Sequence, residues 1–349
     1  MGRRPAAHQR AGLGVADHDL AGLGGGIDSG YETHVQTLVS LCQGVRVRAA
    51  AGLPLPLSHG PYAAEVVTVG ANLRALTRDG VDLVAGTPAG EICQSFRGAV
   101  MAPWANRVAD GTYEFGGRQH ELALTEPARR NALHGLAHWV DWTVVEHTAD
   151  RALLRHELVA QLGYPWPLDL EADYRLGDDG LTVTLRATNV GAEPAPYSTG
   201  LHPYLTVGRR LDDCVLTLPA GTWCPMSDRG LPSAPQPVEG TPYDFREPRP
   251  LGDLVLDHPF GGVADGATAT LTDPDTGRSV SVTVHGGLPW LHLFTSDPLP
   301  WGQREALALE PTTAPPDAFG SGIDLVVLEP GVPHEVSFTI HGTSGVTGS

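Results

Sequence analysis

With 349 residues, a formal net charge of −17 and a pI of about 5.2, the chain is not an expected partner of nucleic acid or of an anionic membrane. All 23 basic residues are arginine, which excludes a lysine Schiff base and the lysine of a phosphate-binding P-loop. The 43 glycines and 30 prolines, together with only 6% aromatic residues, favour many short strands joined by turns over long helices.

The cysteines and the apolar segments bear on the cellular compartment. Four cysteines, at positions 42, 93, 214 and 224, have neither CxxC nor zinc-ligand spacing, so neither a disulfide framework nor a metal site is expected. The chain contains no run of 18 apolar residues and no continuous apolar segment near its beginning. We therefore expect a cytoplasmic protein, not bound to a membrane, whose ligand is a small neutral molecule.

The chain divides into two parts of different character. Residues 1–50 are rich in Arg, Ala, Gly and His without hydrophobic periodicity, which predicts a poorly ordered N-terminal extension. Residues 51–345 are predicted to form one β domain, because strand patterns start at Tyr62–Val69 and continue to the end. Asp79-Gly80 is a hairpin signal that brings the chain back through Val81–Val84.

Asn106 and Arg107 lie just ahead of a turn at Asp110-Gly111. A planar guanidinium beside a side-chain amide offers several fixed donors, which suit the hydroxyl groups and the ring oxygen of a sugar. The alternative is a corner in which the two side chains bond only to the protein.

Two histidines four residues apart, His134 and His138, suggest a metal site on a helix. Gly135 interrupts such a helix and no third ligand follows nearby, so the metal interpretation is disfavoured. With Trp139 and Trp142 close by, His134 instead indicates the wall of a carbohydrate pocket, although the tryptophans also fit a hydrophobic core.

From residue 142 to residue 188 the pattern is strand after strand, and Leu181–Thr188 alternates apolar with polar residues, as expected of a strand with one wet face. The chain then reaches His202, which stands between a glycine turn and Pro203. The residue before a proline is held extended, so the imidazole should project sideways from a strand end, as suits a proton donor. A buried histidine that only satisfies a hydrogen bond is the alternative.

Three further polar residues stand out in the second half of the chain. Asp257, at the end of a connector, can accept hydrogen bonds from two sugar hydroxyls, or it is a turn residue. His292 faces the side of its strand opposite to the flanking leucines. Glu310 ends an apolar strand and precedes a proline, and burial would raise its pKa toward that of a useful base.

Five motifs in the same order resemble the aldose 1-epimerase (galactose mutarotase) family over about residues 53–342. They are Ala105-Asn106-Arg107, Asn131-Ala132-Leu133-His134-Gly135, Gly200-Leu201-His202-Pro203-Tyr204, Leu256-Asp257-His258 and Leu309-Glu310-Pro311. One such motif alone is weak, but five in register are specific.

The resemblance implies an all-β fold, a large antiparallel β-sandwich of the galactose-mutarotase type with few short helices. It also implies that Glu310 is the base on the anomeric hydroxyl, that His202 is the acid on the ring oxygen, and that Asn106, Arg107, His134, Asp257 and His292 bind the sugar. The expected partner is a monosaccharide, the expected state a monomer or weak homodimer, and no metal or cofactor is needed. His292 departs from the family, where many members have a glutamine, so the substrate preference is open.

Three alternatives to a mutarotase for neutral hexoses remain. An epimerase for a phosphorylated or otherwise anionic hexose would require extra arginines, for which Arg97, Arg129 and Arg130 are candidates. A sugar-binding module would bind without catalysis. A glycoside hydrolase would use Asp257 and Glu310 as its two carboxylates.

Overall fold

The computed structural model describes residues 49–300 and 302–345. The extension predicted for residues 1–50, including Cys42, therefore falls almost entirely outside the described residues. The described part of the chain contains 27 strands, one 3₁₀ turn and one short helix, α1 (Ala318–Ser321). No helix in residues 49–300 and 302–345 is long and apolar enough to cross a membrane.

The strands follow one another in chain order. The first fourteen are β1 (Pro54–His59), β2 (Tyr62–Val67), β3 (Asn72–Arg78), β4 (Val81–Asp82), β5 (Val100–Met101), β6 (Arg107–Ala109), β7 (Thr112–Phe115), β8 (Arg118–Glu121), β9 (Asn131–Leu133), β10 (Thr143–His147), β11 (Arg151–Leu158), β12 (Leu168–Gly177), β13 (Gly180–Asn189) and β14 (Ala195–Tyr197). The others are β15 (Gly200–Leu201), β16 (Tyr204–Leu205), β17 (Val215–Thr217), β18 (Thr222–Trp223), β19 (Gln236–Pro237), β20 (Arg249–Pro250), β21 (Asp257–Gly261), β22 (Thr268–Thr272), β23 (Ser279–Gly286), β24 (Trp290–Phe294), β25 (Leu307–Thr312), β26 (Val326–Leu328) and β27 (Pro333–Thr343). The 3₁₀ turn is Leu211–Asp213.

Two large sheets dominate the architecture. The nine-stranded sheet has the order β10-β11-β12-β13-β27-β23-β22-β17-β20. The eight-stranded sheet has the order β19-β18-β21-β24-β25-β15-β5, with β16 also paired to β25. A four-stranded sheet, β1-β2-β3-β4, and three strand pairs, β6-β9, β7-β8 and β14-β26, complete the set. Neighbouring strands are antiparallel throughout, so the predicted all-β, antiparallel fold class is confirmed.

The long strands of the nine-stranded sheet follow the two-residue period of a half-buried strand. In β12 and β13 buried residues alternate with partly exposed ones, and the alternation predicted for Leu181–Thr188 is confirmed. The buried side chains, such as Leu170, Val183 and Leu185, join one hydrophobic core to which Leu291 and Leu309 of the eight-stranded sheet also belong. The two large sheets therefore share a single core.

Strands β24 and β25 are buried on both faces. Leu291, Leu293 and Leu309 pack into the common core. The alternate side chains, His292 and Glu310, emerge on the opposite face, and they are direct cross-strand partners. Partners of this kind have Cβ atoms about 4.5–5.5 Å apart, so the pairing of β24 with β25 brings these two polar groups together.

The sequence interpretation missed strand β21. Asp257 was expected in a connector, but it begins a strand that pairs with β24 along its whole length. Pro259 weakens the local strand signal, because proline cannot donate to a ladder. Here Pro259 lies beside the end of β18, which stops at Trp223 opposite Phe260, and its carbonyl still accepts a hydrogen bond from the N–H of Cys224 at 3.0 Å.

Candidate active site

A cleft of about 310 Å³ lies against the eight-stranded sheet. This volume is in the range of small-molecule sites. The structure brings together around it all seven residues that the sequence singled out: Asn106, Arg107, His134, His202, Asp257, His292 and Glu310. Their roles stay predictions, but the residues do share one site.

His202 is held by its backbone as well as by its ring. It follows β15, its N–H donates to the carbonyl of Ala99 at 3.1 Å, and its own carbonyl accepts from the N–H of Gly98 at 2.8 Å. The imidazole stacks on Tyr204 with centroids 5.0 Å apart. The ring is therefore fixed before any ligand binds, and its Nε2 lies 3.2 Å from Oε1 of Glu310.

The His202–Glu310 pair is almost completely buried, at 5% and 1% exposure. Burial raises the pKa of Glu310 well above its usual value, and the nearby Asp257 carboxylate adds to the rise. Burial, together with the positive field of His292, lowers the pKa of His202 to about 3. Both shifts favour the uncharged forms of the two side chains, a carboxylic acid at Glu310 and a neutral imidazole at His202.

Asp257 and His292 form a second pair on the same face of the sheet. Nε2 of His292 lies 2.9 Å from Oδ1 of Asp257. Although burial opposes ionisation, the hydrogen bond from His292 and the charges of Arg107 and Arg129 hold the pKa of Asp257 well below its usual range. Asp257 is therefore a carboxylate at neutral pH, and its oxygens can accept hydrogen bonds from hydroxyl groups.

Asn106 and His134 join two loops in a strained corner. Both residues have a left-handed backbone, with φ of 57°. The N–H of Asn106 donates to Nδ1 of His134 at 3.2 Å, and the N–H of His134 donates to the carbonyl of Asn106 at 2.9 Å. Because Nδ1 accepts, Nε2 carries the ring proton and is a donor for the cleft. Burial, together with the nearby charge of Arg107, lowers the pKa of His134 well below its usual value, which keeps the ring neutral.

Comparisons with known proteins show to which family the chain belongs. A family model described as aldose 1-epimerase matches residues 55–341. The chain belongs to the aldose 1-epimerase family. An uncharacterized Escherichia coli K12 protein, YihR, is 34% identical over 303 residues, which cover 86% of this chain and 97% of that protein. Human galactose mutarotase is 29% identical over 177 residues, which cover 48% of this chain and 51% of the human protein.

Solved structures of family members have the same fold. The crystal structure of a putative aldose 1-epimerase from E. coli K12 matches with a TM-score of 0.73 and 25% identity, over 83% of this chain and 99% of that one. A galactose 1-epimerase from Lactobacillus acidophilus matches with a TM-score of 0.73 and 23% identity, over 83% of this chain and 94% of that one. The mutarotase-type fold implied by the sequence motifs is therefore confirmed.

Of the two tryptophans near His134, one lies in the hydrophobic core and the other is exposed beside the aromatic wall of the cleft. Trp142 is a core residue, 2% exposed, whose Nε1 donates to the carbonyl of Ala137 at 3.0 Å. Trp139 is 57% exposed and stacks on Phe96, with centroids 5.8 Å apart. Phe96 itself lines the cleft, 4.5 Å from the ring of His134. The aromatic wall beside His134 is thus supplied by Phe96, which the sequence interpretation missed.

Glu126 also lines the cleft and was missed. Glu126 precedes Pro127, as His202 and Glu310 each precede a proline, but so do many other titratable residues of the chain, among them Glu193, Glu247 and Glu329. The restriction that a proline places on the residue before it therefore gives no local signal that singles out Glu126.

Proposed function

We propose that this chain is an aldose 1-epimerase that interconverts the α and β anomers of a free, neutral hexose. The observation that carries the proposal is the buried His202–Glu310 pair, whose Nε2 and Oε1 atoms are 3.2 Å apart in a cleft of sugar size. Membership of the family supports it.

The proton count of this pair fits the opening and reclosure of a hemiacetal. Opening removes a proton from the C1 hydroxyl and delivers one to the ring oxygen, so the pair begins as Glu310 carboxylate with protonated His202 and ends as Glu310 acid with neutral His202. The pair carries one proton in both states. The buried site favours the second state, which is the one that accompanies the open-chain aldehyde. Rotation about C1–C2 and return of the protons close the ring with either configuration.

The charges around the cleft favour a neutral sugar over an anionic one. The carboxylates of Glu126 and Asp257 balance the guanidinium groups of Arg107 and Arg129. Arg129 is already within 3.6 Å of Glu126 and 3.9 Å of Asp257, so it is not a free cation for a phosphate. Of the other arginines considered for an anion, Arg130 bonds to Asp110 at 3.0 Å, outside the residues that line the cleft.

A substrate panel tests the proposal. Polarimetry of freshly dissolved α-glucose, galactose, xylose and glucose 6-phosphate should show faster anomer exchange with the protein for at least one neutral aldose, and a smaller effect for the phosphate. Calorimetric binding of a sugar without any acceleration would instead indicate a binding module. Release of reducing ends from a glycoside would indicate a hydrolase, and preference for glucose 6-phosphate would indicate an epimerase of anionic hexoses.

A further inference from the structure

The guanidinium of Arg107 is hydrogen-bonded to the carboxylate of Glu126, which takes part in no step of the proposed chemistry. Its Nε donates to Oε2 of Glu126 at 2.9 Å, and its Nη2 donates to Oε1 at 3.2 Å. Two parallel bonds of this kind fix a guanidinium both in place and in orientation. The side chain of Arg107 is only 10% exposed, and that of Glu126 is 20% exposed.

The carboxylate of Glu126 is itself fixed by a further hydrogen bond. Nδ2 of Asn131, a fully buried residue, donates to Oε2 of Glu126 at 2.8 Å and to the carbonyl of Arg229 at 2.8 Å. The backbones of Glu126 and Asn131 are also paired, with N–H to carbonyl distances of 3.0 and 3.2 Å. The carboxylate therefore has little freedom to follow Arg107 if the guanidinium moves.

The turn formed by residues 227–231 packs against another side of the Arg107 guanidinium. Gly230, at φ +69°, lies so close to Arg107 that a Cβ there would be 2.6 Å from Cζ and 2.8 Å from Nε and Nη1. Its carbonyl is 3.5 Å from Nη1. Such distances leave no room for any side chain, so only glycine allows the turn to rest on the guanidinium.

We propose that Glu126 and Gly230 are positioning residues, which set both the place of Arg107 in the cleft and the net positive charge that Arg107 presents to His202 and Glu310. The proposal rests on the proposed function, since it assumes that Arg107 contacts the sugar. It adds two residues that contact Arg107 rather than the reacting atoms.

The charge of Arg107 reaches both members of the catalytic pair. It lowers the pKa of Glu310, against burial and Asp257, and it also lowers the pKa of His202. The other titratable groups that line the cleft are Arg129, His134, His292 and Tyr204. Glu126 offsets the charge of Arg107, so removal of Glu126 exposes the pair to a stronger positive field. Glu310 then loses its proton at lower pH, and the alkaline limit of activity moves to lower pH.

The first experiment separates position from charge at residue 126. Glu126→Asp keeps the charge but is one methylene too short for both bonds, so kcat/KM should fall by at least about tenfold with the pH limits unchanged. Glu126→Gln removes the charge at nearly constant volume. It should lose at least as much kcat/KM, and the alkaline limit should also shift to lower pH. A Gln variant with the wild-type pH profile contradicts the charge role.

The second experiment uses two glycines with nearly the same positive φ angle. Gly230→Ala places a methyl group against the guanidinium and should raise KM by at least about tenfold. Gly240→Ala is the matched control, because Gly240 has φ +72° and nothing within 4 Å of its Cβ position. It imposes the same backbone strain without touching Arg107, so its kinetic constants should equal those of the wild type. Equal KM values for the two alanine variants overturn the role of Gly230.

A measurement without sugar distinguishes failure of this proposal from failure of the proposed function. Nitrogen-15 NMR should show a slowly exchanging Nε–H signal of Arg107, identified by its loss in Arg107→Lys, and this signal should move and broaden in Glu126→Gln and Gly230→Ala. An unchanged signal overturns the positioning role even if the wild type has no activity. A wild type that is inactive on every sugar, but shows the expected signal changes, overturns only the proposed function.

Discussion

The nine-stranded and eight-stranded sheets differ in how their polar side chains are hydrogen-bonded. On the outer face of the nine-stranded sheet, hydroxyl groups pair across neighbouring strands. The pairs are Thr182 with Thr339 at 2.9 Å, Thr268 with Thr283 at 2.8 Å and Thr270 with Ser281 at 2.9 Å. Pairs of this kind each contribute modestly to the stability of a sheet.

In the eight-stranded sheet, polar atoms are buried without being paired. Nδ1 of His202, Nδ1 of His292 and Oε2 of Glu310 find no hydrogen-bond partner among the described residues. A buried polar atom without a partner costs stability. Among the described strands of the nine-stranded sheet, only Nδ1 of His334 is unpaired in the same way, and His334 does not line the cleft. The contrast indicates that one sheet mainly holds the fold, whereas the other keeps hydrogen-bonding capacity for a ligand.

The largest expected effect on activity comes from substitution of His202 and Glu310, two of the residues that carry unpaired buried atoms. Glu310→Gln and His202→Asn should each slow mutarotation by at least about a hundredfold, because each removes one of two proton transfers. The free energy of unfolding should hardly fall in Glu310→Gln, since the substitution keeps the side-chain volume and replaces one carboxyl oxygen by an amide group where Oε2 has no partner to lose. Polarimetry and urea unfolding measure the two quantities, and near-normal rates in either folded variant would remove the assignment.

An intermediate effect is expected in the core of the nine-stranded sheet. Leu185 is 2% exposed and lies in the middle of β13. Leu185→Ala should lower the free energy of unfolding by about 2–5 kcal/mol through lost burial and a cavity. The kcat at 25 °C should remain that of the wild type as long as the variant is folded. A loss of kcat in the folded variant would show that the two sheets are coupled more tightly than this comparison implies.

The smallest effect is expected from a paired hydroxyl. Thr339 is 6% exposed, and its Oγ1 bonds to Thr182 and, at 2.7 Å, to Nε2 of His285. Thr339→Val keeps the shape and removes these bonds, which should cost about 1 kcal/mol of stability and leave mutarotation unchanged. The midpoint of urea unfolding, with its slope as a check on two-state behaviour, measures the change. A Thr339→Val variant with reduced activity and unaltered stability would contradict the interpretation that the nine-stranded sheet serves stability and the eight-stranded sheet serves ligand binding.

Much of the fold and of the site follows from local sequence. The two-residue alternation of Leu181–Thr188 predicts a strand because its side chains fall alternately in the core and outside it. Five short motifs in order indicate the family, and the family brings the antiparallel fold with it. His202 and Glu310 attract attention because each precedes a proline, which restricts the backbone whatever the tertiary structure is.

Local patterns are less informative where strands are short and pair with distant segments. Strand β21 contains Pro259 and reads as a loop, yet pairing with β24 makes it a strand. Phe96 and Glu126 contact the cleft only because loops far apart in the chain meet over the sheet. Neither position has a periodicity of its own, so no local signal places it there.

The sequence by itself therefore determined the fold class, the family and the residue types that the site contains, since these depend on strand period, proline restriction and motif order. Only the tertiary structure decided that His292 faces Glu310 across β24 and β25, that Glu126 and Gly230 enclose Arg107, and that the carboxyl group of Glu310 and the imidazole of His202 are buried 3.2 Å apart. The reason is physical: strand register and burial set the distances and the local dielectric, and these govern hydrogen bonds and pKa values.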